Sequence, residues 1–299
     1  MGVSSICRTL ARSRALGRPS AALARSTVLE LVILAVHVLL YPTGLTQERR
    51  PPPLRLTARA DLPVHPGDTE GTPGGGIEPG GTPAPGHDER PPVLLLHGFI
   101  DNRSVFVLLR RSLCRHGWQH VETLNYSPFT RDLRTAATLL GRHIEEICAR
   151  TGQSRIDIVG HSLGGLVARY YVQRLGGDTR VRTLVTLGTP HGGTLVAPLL
   201  TAHPLVRQMR PDSDVIAELA APAPHCSTHF ISFWSDLDQI MVPVETARID
   251  HADLHARSVR VSGVGHLALP VHAAVAAGIR QALTMEETPA GASGAVSVA

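Results

Sequence analysis

From Pro92 onward the chain alternates between two hydrophobic rhythms. "VLLLHG" (93–98) is an unbroken apolar run of buried-strand length, and "SVFVLLRRSLCRHG" (104–117) has helical spacing that ends at Gly117. "VETLNY" (121–126) reads as a strand, and "DLRTAATLLGRHIEEICARTG" (132–152) as a long helix closed by Gly152. "IDIVGHS" (156–162) is a strand that runs into a glycine-rich turn, and "LVARYYVQRLGG" (166–177) is the helix after it. Strands follow at 181–190, 229–235 and 258–265, and a final helix at 272–283. Strands alternating with helices predict an α/β fold with a mostly parallel sheet and helices on both faces. Residues 194–227 break the rhythm with Pro, Ala and short apolar pieces such as "DVIAELA". They lie at the carboxyl-end side of two strands, where α/β proteins place ligands, and read as a cap or lid or as a surface excursion.

The first quarter has a different pattern. Residues 1–25 carry Arg8, Arg12, Arg14, Arg18 and Arg25 and no acidic residue, and the apolar run "VLELVILAVHVLLY" (28–41) follows. Basic flank and apolar run together resemble an export signal. The run falls short of the roughly 20 residues that span a bilayer, and Glu30 and His37 interrupt it. A cleaved signal, a poor anchor, a membrane-leaning helix and a helix docked on the remainder of the chain are all open. The expected location is secreted or membrane-associated, with a cytoplasmic one as alternative. Residues 51–92 hold 11 of the 23 prolines and eight glycines, without apolar periodicity. They read as a flexible linker. The expected organisation is a leader at 1–50, a linker at 51–91, a catalytic domain at 92–285 and a disordered tail at 286–299. Leader and linker are expected to be dispensable for chemistry.

Charge narrows the function. Every one of the 29 basic residues is arginine, so lysine chemistry is excluded, whether Schiff base or phosphate loop. Residues 1–50 contain seven arginines and two glutamates, while the remainder holds 22 arginines against 23 acidic residues. A nucleic-acid partner is therefore not expected, because the basic excess sits outside the domain. Cys114, Cys148 and Cys226 leave at least one free thiol, and the first two fall on helices expected to cover opposite sheet faces. His225, Cys226 and His229 match no closed zinc spacing, so neither metal nor cofactor is expected.

Gly160-His161-Ser162-Leu163-Gly164 is a G-x-S-x-G sequence placed between a strand and a helix. A serine there sits on a sharp turn, hydroxyl clear of the sheet, with the Leu163 amide free to stabilise an oxyanion. A nucleophilic serine needs a base. His266, in "GVGHLALP", follows the last strand and precedes the last helix, which puts it at the same end of the sheet. The amide of Phe99, after Gly98, is the second candidate oxyanion donor. His97 is expected to support that loop, and His191, in "LGTPHGGT", to line the pocket.

"VLLLHGF", "DIVGHSLGGLVARYY", "TLGTPHGGT", "SFWSDLDQIMVP" and "GVGHLALP" together resemble the α/β-hydrolase superfamily, and within it bacterial triacylglycerol lipases and esterases of the actinobacterial type. The resemblance covers residues 92–285 in the family's order and implies the α/β-hydrolase fold with a small cap insert. It also implies a serine hydrolase that cleaves carboxylic or lipid esters through an acyl-enzyme. An acyltransferase on the same triad, or a non-catalytic ligand-binding relative, is the alternative. The implied partner is a small acyl ester or lipid, with membrane association possible through residues 28–41. The triad acid lies between Ser162 and His266 in chain order, at Asp236 or Asp238. Family loops often place the acid shortly before an apolar pair and a proline. By that resemblance Asp238, ahead of "QIMVP", is preferred, and Asp236 is expected to shape the turn.

Overall fold

A computed structural model of the chain describes residues 21–40, 90–99, 101–125, 130–196, 203–284 and 296–298. The basic segment before residue 21, nearly all of the linker at 51–91, and residues 285–295 lie outside this description. Seven strands form one parallel sheet in the order β2-β1-β3-β4-β5-β6-β7. They are β1 (Val93–Leu96), β2 (Val121–Leu124), β3 (Ile156–His161), β4 (Val181–Leu187), β5 (His229–Ser235), β6 (His255–Val261) and β7 (Val296–Val298). β1 and β3 are buried along their whole length, as continuous apolar runs in a two-sided parallel sheet must be.

Helices cover both faces. On one side α3 (Leu133–Thr151) and α4 (Leu163–Arg174) pack through Leu140, Ile144, Leu166 and Val167 against Leu94, Ile158 and Leu184 of the sheet. On the other, α2 (Val107–Arg115) and α7 (Ala273–Thr284) pack through Leu109, Leu113, Val275 and Ile279 against Leu95, Val159 and Val185. Cys114 and Cys148 belong to helices on these opposite faces, and both are free. α3 starts at Asp132, whose carboxylate accepts the Thr135 amide at 3.1 Å, and stops at Gly152, whose φ of 72° only glycine adopts without strain. The chain reverses direction across the sheet between β1 and β3, and such switch points are where ligands bind.

Three boundaries differ from the hydrophobic pattern. α4 begins at Leu163 instead of 166, because Gly164 and Gly165 belong to its first turn, where close packing of Gly164 against the end of β1 and of Gly165 against Thr186 and Thr189 leaves no room for side chains. β6 begins at His255 rather than 258 and ends before Gly263, which takes a positive φ of 76°. In the tail expected to lack structure, Val296–Val298 add a short strand to the β6 edge, as alternating Val-Ser-Val can.

The insert at 194–227 forms α5 (Pro204–Arg207) and α6 (Asp214–Ala220). Val215, Ile216 and Leu219 of α6 are buried in the core beside α4, each contributing about 1.5–3 kcal/mol by burial. Arg169 of α4, itself buried, donates to the Leu219 carbonyl at 3.1 Å, and Glu218 accepts from Arg134 and Tyr170. Among its described residues the insert is therefore tied to the body at several points.

The leader contains a further helix, α1 (Ala21–Leu40). Among the described residues no helix is long and apolar enough to cross a membrane. α1 rests on the α/β body: Ser26 is buried, Ile33 packs against the core beneath α2 and α7, and Thr27 Oγ1 accepts from Gln239 Nε2 at 3.1 Å. A body drawn from residue 92 thus omits a helix that touches it. Docking residues recur at helical spacing (26, 30, 33), but two of the three are polar, so the apolar pattern of the run did not mark this face.

Candidate active site

Ser162 stands at the carboxyl end of the central strand β3 with φ 52° and ψ −121°, a conformation strained for any residue with a side chain. Glycine sterics force the turn. A Cβ on Gly160 would lie 2.5 Å from Gly165 Cα, and one on Gly164 would lie 2.5 Å from the Leu96 carbonyl oxygen. Only glycine at both places lets α4 start directly over the ends of β1 and β3. The turn is bonded on both sides: the Ser162 amide donates to the Leu187 carbonyl at 2.9 Å, and Thr189 Oγ1 donates to the Ser162 carbonyl at 3.0 Å. Leu163 opens α4, so its amide has no intrahelical acceptor and lies at the positive end of the helix dipole. Gly98 brings the end of β1 close, since a Cβ there would be 3.3 Å from Ser162 Cβ. Phe99 is the next residue, and its ring lies 5.0 Å from that of His203 in the insert.

His266 lies in the loop between β6 and α7, and its Nδ1 is 2.8 Å from Asp238 Oδ2. Against a carboxylate that nitrogen carries the proton, which leaves Nε2 as the basic one. Asp238 is itself fixed, because its Oδ1 accepts the amides of Ile240 (2.9 Å) and Met241 (3.0 Å). Gly188, after β4, leaves space for the pair: a Cβ there would be 3.0 Å from both Asp238 Oδ2 and His266 Nδ1. The two candidate acids are clearly separated. Asp238 is 3% exposed and bonded to His266, whereas Asp236 faces outward, pairs with Arg260 at 2.8 Å and accepts the Gly263 amide at 3.1 Å. Asp236 thus shapes the turn.

Charge around the pair is balanced by burial. Burial pulls the His266 imidazole down, but the Asp238 charge and hydrogen bond, with Asp101 and Glu30 farther out, together hold it above its ordinary value of 6.5. Burial pushes Asp238 up. The charge and hydrogen bond of His266 and the two loop amides outweigh this and keep it below its ordinary range.

Three contributors were missed by the sequence reading. His161, next to Ser162, places Nδ1 3.1 Å from Asp101 Oδ2 and Nε2 3.2 Å from the His266 carbonyl, with its ring 4.8 Å from that of His266. His161 therefore links the Ser162 turn to the His266 loop, and Asp101 fixes His161. Asp101 is three residues beyond Gly98, a buried acid followed by Asn102 and Arg103, which offered only its charge as a signal. Glu30 of α1 is the third, and its carboxylate accepts the amides of Leu267 and Ala268. Its one sequence signal was a charge inside an apolar run. His97 donates to the Gly98 carbonyl at 2.8 Å and so supports the β1 loop as expected. His191 is fully buried behind the site. Its Nε2 is 2.9 Å from Thr186 Oγ1, and burial pushes it well below its ordinary range, so it is part of the scaffold rather than of an open pocket wall. His225 is exposed while Cys226 points into the core.

A family model described as "alpha/beta hydrolase fold" matches residues 91–213. The product of Listeria innocua lin2722 superposes with a TM-score of 0.52 at 17% identity, over 71% of this chain and 99% of that one. The chain has the α/β-hydrolase fold. Bacillus licheniformis lipase BlEst2, in its mature form, superposes with a TM-score of 0.53 at 14% identity, over 70% of this chain and 96% of that one. In sequence, a triacylglycerol lipase of Pseudarthrobacter phenanthrenivorans is 30% identical over 113 residues, 35% of this chain and 34% of that protein. One of Burkholderia plantarii is 30% identical over the same length, with 31% of that protein covered. The match thus spans about a third of these relatives' length. Within this fold, Ser162, Asp238 and His266 each follow a strand of the sheet at its carboxyl end.

Proposed function

We propose that the protein is a serine hydrolase of carboxylic esters, a lipase or esterase, with Ser162 as nucleophile, His266 as general base and acid, and Asp238 as the carboxylate that orients it. The observation that carries this reading is the strained Ser162 turn, joined through His161 to a histidine held by a buried aspartate. His266 Nε2 takes the Ser162 proton as Oγ attacks the ester carbonyl. The amides of Leu163 and Phe99 stabilise the oxyanion. Collapse of the tetrahedral intermediate breaks the bond to the alkoxy oxygen, and His266 returns the proton to the departing alcohol. A water, deprotonated by His266, then attacks the acyl-enzyme and releases the acid.

An acyl substrate is supported by a mostly apolar cavity of about 130 Å³ at the carboxyl ends of β1 and β2, lined by Leu96, Leu124, Ala136, Leu139, Leu140 and Val167 with Asn125 as its polar member. The two similar triacylglycerol lipases point the same way. We also read the apolar outer face of α1, where Val28, Leu29, Leu31 and Val32 are exposed, as the side that meets a lipid surface, consistent with a membrane-associated or exported enzyme. A panel of p-nitrophenyl esters from acetate to palmitate tests the function. Hydrolysis is expected with the native chain, and Ser162→Ala is expected to lower it roughly 10⁶-fold. Leu31→Ser is expected to spare soluble short esters and slow emulsified long ones. Equal hydrolysis by Ser162→Ala removes the assignment, and unaltered long-ester hydrolysis by Leu31→Ser removes the surface reading.

A further inference from the structure

Glu30 makes a contact that reaches the chemistry from outside the catalytic body. Its Oε2 accepts the Leu267 amide and its Oε1 accepts the Ala268 amide, both at 3.0 Å. These are the two residues that follow His266. On the other side, Gly265 precedes His266, and a Cβ there would lie 2.4 Å from the Glu30 carboxyl. The loop is thus shaped around the carboxylate on both sides of the histidine, and two successive amides pointing at one anion form a small nest. One turn earlier on α1, Thr27 receives the hydrogen bond from Gln239, the residue after Asp238. One helix therefore touches the loop of the acid and the loop of the base.

We infer that Glu30 is a positioning residue for His266, so that docking of α1 completes the active site. The inference rests on the triad reading above. Glu30 acts in two ways. Its two hydrogen bonds fix the backbone that carries the imidazole, and its negative charge favours the imidazolium that forms during the reaction. The charged or titratable groups facing His266 are Asp238, Asp101, Glu30 and the His161 ring, and three of the four are acids. A helix that merely rode on the body could do so through Ser26 and Ile33. It would have no need to place a carboxylate in this loop. Removal of α1, by processing or by undocking, would accordingly lower turnover without touching any triad residue.

The test uses the full chain with Glu30→Gln and Glu30→Ala. Kinetics on p-nitrophenyl butyrate are followed across pH, and active molecules are counted by titration with an organophosphonate. Glu30→Gln loses the charge and one acceptor. Its acid limb of kcat/KM is expected to move to lower pH, and its kcat per titrated site to fall with KM nearly unchanged. Glu30→Ala is expected to lose more, on the order of 10- to 100-fold in kcat, the scale set by small misplacement of a catalytic group. Unaltered kcat and an unaltered acid limb in both variants overturn the proposal. So does a fall in titratable sites alone, with the remaining molecules turning over normally, since that marks a purely structural helix. Ser162→Ala in the same assay separates the two claims. If it is inactive beside an unaltered Glu30→Gln, the positioning claim alone fails; if it is fully active, the triad reading fails and takes the Glu30 claim with it.

Discussion

The turn at Ser162 and the loop at His266 are held in different ways. The turn is fixed by close packing: glycines at 160, 164 and 165 let strand, turn and helix approach one another and the ends of β1 and β4 at distances that no side chain would allow. The loop is fixed from without. Asp238 comes from the end of β5, the His161 ring from the end of β3 and Glu30 from a helix more than two hundred residues earlier in the chain. A nucleophile must stand in one strained conformation, which local sterics can impose. A base must accept and return a proton, and its basicity depends on charges that only the tertiary fold assembles.

Among changes to the two supports, the largest expected effect comes from breaking the outer one. Asp238→Asn should lower kcat by about 10⁴, as in serine proteases where the equivalent change stabilises the wrong tautomer. It should also move the acid limb of kcat/KM. His266 must be neutral to act as a base, and it is held above 6.5, so the native rate should rise with pH through a midpoint above 6.5. Removing the Asp238 charge should lower that midpoint. Stability follows the same sign. Because its folded value is raised, the stability contributed through His266 is fully present below 6.5 and is lost as pH rises through the folded value. A pH–rate series on both proteins, with thermal melts alongside, checks these directions.

Breaking the inner support should act on the fold instead. Gly164→Ala places a methyl 2.5 Å from a backbone oxygen of β1, and neither side can move far. About 1–3 kcal/mol of stability should be lost, the usual range for overpacking, together with the alignment of Ser162. Denaturant unfolding measures the first and phosphonate labelling rate the second. The smallest effect should come from Asp236→Asn. That residue is partly exposed and bonded to Arg260 and Gly263, so activity within a few-fold of native is expected, with a stability change of about 1 kcal/mol or less. A reversed ranking of Asp236→Asn and Asp238→Asn would exchange the roles of the two acids.

The same contrast explains what could be read before the structure. The strand–turn–helix around Ser162 was legible because its physics lies within a few consecutive residues, and periodicity located β1 to β6 for the same reason. His266 and Asp238 were legible by their position at strand ends, although choosing between Asp236 and Asp238 relied on resemblance. In the structure the two differ by their hydrogen bonds, since Asp238 bonds to Met241, Ile240 and His266. Asp101 and Glu30 were not legible as site residues. Each is a single acid whose meaning lies in a partner 60 residues (His161) or 237 residues (Leu267) away. α1 was assigned to a leader because its apolar run suggests a membrane. Its docking face mixes Ser26, Thr27 and Glu30 with apolar Ile33, and hydropathy does not register the polar members as a packing surface.

The most direct measurement of the central claim is to treat the full native chain with an organophosphonate ester and map the adduct by peptide mass spectrometry. The phosphonate resembles the tetrahedral intermediate and reacts only with a serine that is both activated and facing an oxyanion hole. A single adduct on Ser162, formed faster as pH rises through the His266 midpoint and abolished in step with ester hydrolysis, is the predicted result. An adduct on another residue, or full ester hydrolysis by a chain whose Ser162 is blocked, would contradict the account.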